Sequence, residues 1–124
     1  MTAPERHSTG VAVQRRRQVP DRVLELVGGR LRVVADPTRM RILRYLESNG
    51  SATVQQVCDG LGGAHQNVSK HLRMLLGAGM VMRAREGNSM RYELADFTVL
   101  WVIEKMAASV QAQLEEQYER FADV

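Results

Sequence analysis

Ala64-His65-Gln66-Asn67-Val68-Ser69-Lys70-His71-Leu72-Arg73-Met74-Leu75-Leu76 decides how this chain of 124 residues folds. At helical pitch Val68, Leu72 and Leu75 fall at i, i+4 and i+7 and make one apolar stripe. Gln66, Asn67, Ser69, Lys70 and Arg73 then lie on the other faces. Their side chains are short or forked, polar or cationic, which suits hydrogen bonding to base edges and phosphate oxygens. A second short amphipathic segment, ending at Gly62-Gly63, precedes this helix, and an arginine-bearing hairpin follows it. Helix, turn, polar-faced helix and basic hairpin together predict a unit that reads DNA.

Upstream, the pattern of Val23, Val27, Leu31 and Val34 predicts a helix from Asp21, interrupted by Gly28-Gly29, each of which costs about 1 kcal/mol relative to alanine inside a helix. Asp36-Pro37 starts the next one. Asp36 can cap, and proline suits a first helical position because its missing N–H would be unpaired there. Met40, Leu43 and Leu46 point inward, and Asn49-Gly50 ends the helix. Thr53, with Gln56 three positions on, predicts a capping box for a third helix whose buried face is Val54, Val57, Cys58 and Leu61.

Downstream, residues 80–85 and 89–94 read as two strands joined by Glu86-Gly87-Asn88, where Gly and Asn both tolerate positive φ. Asp96 starts a long last helix. Phe97, Leu100 and Trp101 form one apolar set on it. Val99, Ile103, Met106, Val110 and Leu114 form a second, roughly heptad-spaced set. One set can pack on the domain, which leaves the second set for the matching helix of another copy. A helix buried between neighbours in a monomer is the other arrangement such a pattern allows.

Bulk properties agree with a single small domain. Aromatic residues make up 5% of the chain, so aliphatic side chains must fill the core. The net charge is +3, and its distribution says more than its size. Residues 1–18 carry four arginines against Glu5, and residues 65–91 carry Lys70, Arg73, Arg83, Arg85 and Arg91 against Glu86. Residues 96–124 are acidic, with six carboxylates against Lys105 and Arg120. A polyanion would be drawn to the first two regions and repelled by the last. The chain thus divides into a basic arm expected to be disordered (1–18), a DNA-binding core (19–95) and a dimerisation helix (96–124). The run Arg15-Arg16-Arg17 either lies in a minor groove or is a solvated tail. One cysteine, Cys58, rules out an intramolecular disulfide. There is no apolar signal-peptide core and no stretch near the roughly 20 apolar residues of a membrane span. The expectation is a cytoplasmic protein with no membrane partner.

Several spaced blocks resemble the ArsR-type (ArsR/SmtB) family of winged helix-turn-helix regulators. They are Ala35-Asp36-Pro37-Thr38-Arg39-Met40-Arg41-Ile42-Leu43, Asn67 through Leu75, Ala78-Gly79-Met80-Val81, Arg85-Glu86-Gly87 and Arg91-Tyr92-Glu93-Leu94. The resemblance implies a mainly α fold with a small β-hairpin, dimeric through terminal helices, and a repressor that binds an inverted-repeat operator until a signal releases it. In such a dimer two reading helices enter successive major grooves about 34 Å apart. Lys70 and Arg73 are candidates for phosphate or guanine, Gln66 and Asn67 for adenine, Ser69 for backbone or base, and His65 for phosphate. Arg83, Arg85 and Arg91 would hold flanking backbone or enter the minor groove. His71, one residue before core Leu72, is expected to be structural.

The chain departs from the family's metal-sensing members. Where the arsenic-responsive branch has three cysteines, Thr53-Val54-Gln55-Gln56-Val57-Cys58 keeps only the last. A soft metal wants several thiolates. The zinc- and cobalt-type site uses Asp-x-His early in the last helix; here that reads Asp96-Phe97-Thr98, with no histidine beyond His71. No metal or other cofactor is therefore expected, and the releasing signal is expected to be non-metal, with a small-molecule effector as one candidate. Cys58 is either core packing or a thiol switch. A metal-responsive repressor using Cys58, and a winged helix that binds other proteins, are the alternatives. No nucleophile elbow, phosphate loop or dinucleotide fingerprint is present, so an enzyme is not expected.

Overall fold

The computed structural model describes residues 18–122; the arm with Arg15-Arg16-Arg17 lies outside the described residues. Helix α1 (Asp21–Val34) begins after Pro20 and runs unbroken through Gly28 and Gly29. Helix α2 (Pro37–Asn49) has the expected start, with Pro37 in its first turn and the Asp36 carboxylate accepting from the Arg39 backbone N–H at 2.9 Å. Gly50, at φ 83°, ends it in a conformation that favours glycine. Strand β1 (Ser51–Thr53) leads into α3 (Val54–Leu61), whose capping box is complete. The Gln56 N–H donates to Thr53 Oγ1 at 3.2 Å, and the Thr53 N–H donates to Gln56 Oε1 at 2.9 Å. Helix α4 (His65–Gly77) follows the Gly62-Gly63 turn. Strands β2 (Val81–Glu86) and β3 (Ser89–Leu94) precede α5 (Thr98–Ala122).

The sheet has three strands in the order β1-β3-β2, all antiparallel, where the sequence predicts only a hairpin. The extra strand is three residues long, too short to show a period. It forms because Ser51, Ala52 and Thr53 pair with Glu93, Tyr92 and Arg91 across a long sequence separation. The hairpin turn is also tighter than expected. Glu86 pairs with Ser89, so Gly87-Asn88 is a two-residue loop, and only Gly87 takes positive φ. That is the arrangement with glycine at the first central position.

Ile42, Leu43, Leu46, Val57, Leu72, Leu75 and Met80 are fully buried and knit α2, α3, α4 and the start of β2 together. Tyr92 and Leu94 close this core from the sheet. Two expectations fail, on α3 and α5, and α1 leaves its apolar stripe in solvent. Leu61, expected on the buried face of α3, is 40% exposed because it is the last residue of a two-turn helix. The α1 stripe is unburied apart from Val34: Val23, Val27 and Leu31 all face solvent. On α5 neither apolar set acts as a unit. Val99, expected at a partner, is 7% exposed and packs in the chain's own core beside Leu100, with half-buried Ile103 behind it. Phe97 and Trp101, expected to pack on the domain, stand out in solvent. The helix docks through neighbouring residues of both sets because its first turn leaves the sheet at Leu94 with the Val99–Leu100 edge inward. An ion pair from Arg30 Nη1 to Asp96 Oδ2, at 2.9 Å, ties α1 to the approach to α5.

Candidate nucleic-acid interface

Helix α4 buries Val68, Leu72 and Leu75, as its apolar stripe predicts, and this fixes where its polar residues go. His65, Gln66, Asn67, Lys70 and Arg73 are exposed and Ser69 is half-buried. His71 lies on the flank toward α2. Its Nδ1 accepts from Arg39 Nε at 3.2 Å, while Arg39 Nη1 donates to the Val33 carbonyl at 2.7 Å. This arginine therefore joins the α1–α2 junction to α4. The same small network holds the Asp36 carboxyl below its ordinary range. The Arg39 backbone hydrogen bond is the largest cause, and the Arg39 charge adds to it.

The hairpin places its arginines on two different faces. Opposed residues share a face, and Arg83 opposes Tyr92 while Arg85 opposes Met90. Arg83 and Arg85 therefore stand on the sheet face that carries buried Tyr92. Arg91 opposes Ala84 and stands on the reverse face. Its side chain is engaged within the chain. Its Nε lies 3.2 Å from Ser51 Oγ and 3.3 Å from Glu86 Oε2, and Nη2 donates to the Ser51 carbonyl at 3.3 Å. Arg91 is a strap between the hairpin and β1. The missing signal was β1 itself, since Ser51 becomes a partner only through the long-range pairing.

Between α4 and the hairpin runs a groove of about 440 Å3. His65, Ser69 and Arg73, four residues apart on one side of α4, form one wall, and Arg83 and Tyr92 form the other. Gln55 at the start of α3 and Asn88, placed from sequence only as a turn residue, reach the same groove. Neither belongs to the periodic or charge patterns, and only the fold brings them here.

Among the described residues no group of three or more His, Cys, Asp or Glu side chains could hold a metal ion. Cys58 is half-buried against the hydrophobic core. Both carboxylate oxygens of Asp96 are engaged, Oδ2 by Arg30 and Oδ1 by the Thr98 N–H. These residues do not fit the thiolate or histidine–carboxylate metal sites of the resembling family.

Known proteins share this arrangement. A helix-turn-helix domain family matches residues 34–84. The HTH-type transcriptional regulator CmtR of Mycobacterium tuberculosis is 46% identical over 65 residues, which cover 52% of this chain and 54% of that protein. The chain thus spans about half the length of this curated relative. An uncharacterized HTH-type transcriptional regulator of Methanocaldococcus jannaschii is 38% identical over 68 residues, covering 55% of this chain and 76% of the relative. Among solved structures, the homodimeric winged helix-turn-helix DNA-binding domain of a possible ArsR-family regulator from Mycobacterium bovis superposes with a TM-score of 0.59 at 26% identity, over 77% of this chain and 84% of that one. The sequence blocks, the three-stranded wing and these relatives agree: the chain belongs to the ArsR-type family of winged helix-turn-helix transcriptional regulators.

Proposed function

We propose that this protein is a transcriptional repressor that binds double-stranded DNA as a homodimer, each copy presenting α4 to half of an inverted-repeat operator. The observation that carries this is α4 itself: one face holds it in the core, and the others present amide, hydroxyl, imidazole and cationic groups beside a basic hairpin. The second helix of a helix-turn-helix enters the major groove in this way. Gln66, Asn67, Ser69, Lys70 and Arg73, with His65, Arg83 and Arg85, are the contacts. Such a regulator works in the cytoplasm, beside the chromosome.

The dimer would form through α1 and α5. Val23, Leu24, Leu26, Val27 and Leu31 on α1, and Met106, Val110 and Leu114 on α5, are exposed in the single chain. Large apolar residues exposed in this number on two helices mark an interaction site. Phe97 and Trp101 extend it, with Lys105 Nζ 5.6 Å from the Trp101 ring centre. Of the residues assigned to the interface from sequence, Met106, Val110 and Leu114 remain, Ile103 contributes its outer edge, and Val99 is taken up by the core. The arm, the reading core and the terminal helix divide the work at residues 18 and 95. The releasing signal is read as a non-metal one from the sequence, which keeps one cysteine, Cys58, and has no histidine beyond His71.

The test is binding of a duplex enriched by this protein from a random pool, compared with a scrambled duplex, at two salt concentrations. The wild type should prefer the enriched duplex and lose affinity steeply with salt. The double variant Lys70→Ala/Arg73→Ala should bind more weakly while melting as the wild type does. Unchanged affinity in that variant would remove α4 from the interface.

A further inference from the structure

Helix α4 has two polar sides, and the hairpin faces only one of them. At about 100° per residue, Gln66 and Lys70 emerge opposite the buried Val68–Leu72–Leu75 stripe and point straight away from the domain. His65, Ser69 and Arg73 lie to one side of that line and wall the groove that Arg83 closes. No aspartate or glutamate lines this groove. Among the described residues neither Arg73 nor Arg83 is paired with a carboxylate, whereas Arg91 on the reverse face is paired with Glu86. Two unneutralised guanidinium groups, an imidazole and a hydroxyl thus converge on one slot. Guanidinium forks match the oxygens of a phosphate, and a chain of phosphates carries no sequence information.

We propose that this groove seats one sugar–phosphate strand of the bound DNA, so that His65, Ser69, Arg73 and Arg83 supply affinity while Gln66 and Lys70 on the outward side supply sequence choice. This rests on the DNA-binding function proposed above and gives the two sides of the helix separate work. Asn67, on the flank away from the hairpin, stays outside the clamp. Arg83 is thereby a phosphate contact and not a reader of the minor groove.

Anisotropy titrations of the full chain with the enriched and scrambled duplexes, across a range of salt, separate the two roles. Arg83→Ala should weaken binding to both duplexes by a similar factor. It should also lower the slope of log affinity against log salt by about 2, one phosphate for each subunit. Arg83→Lys should restore the slope, because a phosphate accepts a point charge. Gln66→Ala should reduce the preference for the enriched duplex roughly tenfold or more and leave the slope as it was. The proposal is overturned if Arg83→Ala erodes the preference with the slope intact, since Arg83 would then read a base edge. It is also overturned if Arg83→Ala changes neither. A wild type that binds both duplexes equally and without salt dependence would instead defeat the DNA-binding function itself.

Discussion

The core around α2, α3, α4 and the sheet and the pair of terminal helices are built from similar aliphatic residues, yet they end in opposite states. In the first region Ile42, Leu43, Leu46, Val57, Leu72 and Leu75 are buried completely. In the second, Val27 and Leu31 of α1 and Met106, Val110 and Leu114 of α5 are each about half exposed. The same helical periodicity therefore means a finished core in one place and an unfinished surface in the other. What separates them is the presence of a facing element within the chain. Helix α5 passes the domain after Ile103, and every residue from Glu104 to Ala122 is exposed.

This contrast can be broken from either side. The largest effect belongs to the finished core: Leu72→Ala should destabilise the protein by about 2–5 kcal/mol, the range for removing a fully buried leucine, as read by chemical denaturation. A loss under about 1 kcal/mol would mean that the α4 stripe is not packed as described. In the unfinished surface the effect should appear in assembly. Val110→Glu/Leu114→Glu should raise the dimer dissociation constant by roughly a hundredfold or more, because two carboxylates would be desolvated at the interface. Monomer helicity should change little. Trp101, the single tryptophan of the sequence, gives a fluorescence signal for dissociation. Dimers that tolerate both charges would place the interface on a different part of α5 or α1.

The smallest effect lies at the α2 cap. The Asp36 carboxyl is held below its ordinary range in the folded state, so the unfolded chain binds its proton first as the pH falls. The stabilisation is complete above the ordinary carboxylate value and is lost as the pH drops through the lowered folded one. Asp36→Asn, which keeps a capping oxygen without the charge, should flatten the fall of the melting temperature across that acid window. An unchanged profile would show that the Arg39 bond does not depend on the charge.

Much of the first region was legible in the sequence because its signals are local. Asp36-Pro37, the Thr53–Gln56 box, the glycine turns and the 68–72–75 stripe each act within one or two turns of chain. The polar and cationic residues of α4 could be placed for the same reason. What escaped is non-local. Strand β1 exists only through its pairing with β3, and the strap from Arg91 to Ser51 depends on that strand. Gln55 and Asn88 reach the groove only after the hairpin folds back over α4. On α5 periodicity gave both apolar sets but could not say which edge the exit from Leu94 would turn inward. Arg39 is similar: its backbone role follows from the Asp36 cap, while its side-chain bond to His71 needs α2 and α4 side by side.

Two copies of this chain would present paired α4 helices to one duplex. Sedimentation velocity of the protein with a labelled duplex enriched from a random pool measures this directly. The expected result is a complex of two chains on one duplex, and free protein that sediments as a dimer. A complex of one chain per duplex, or a monomer that ignores the duplex, would contradict it.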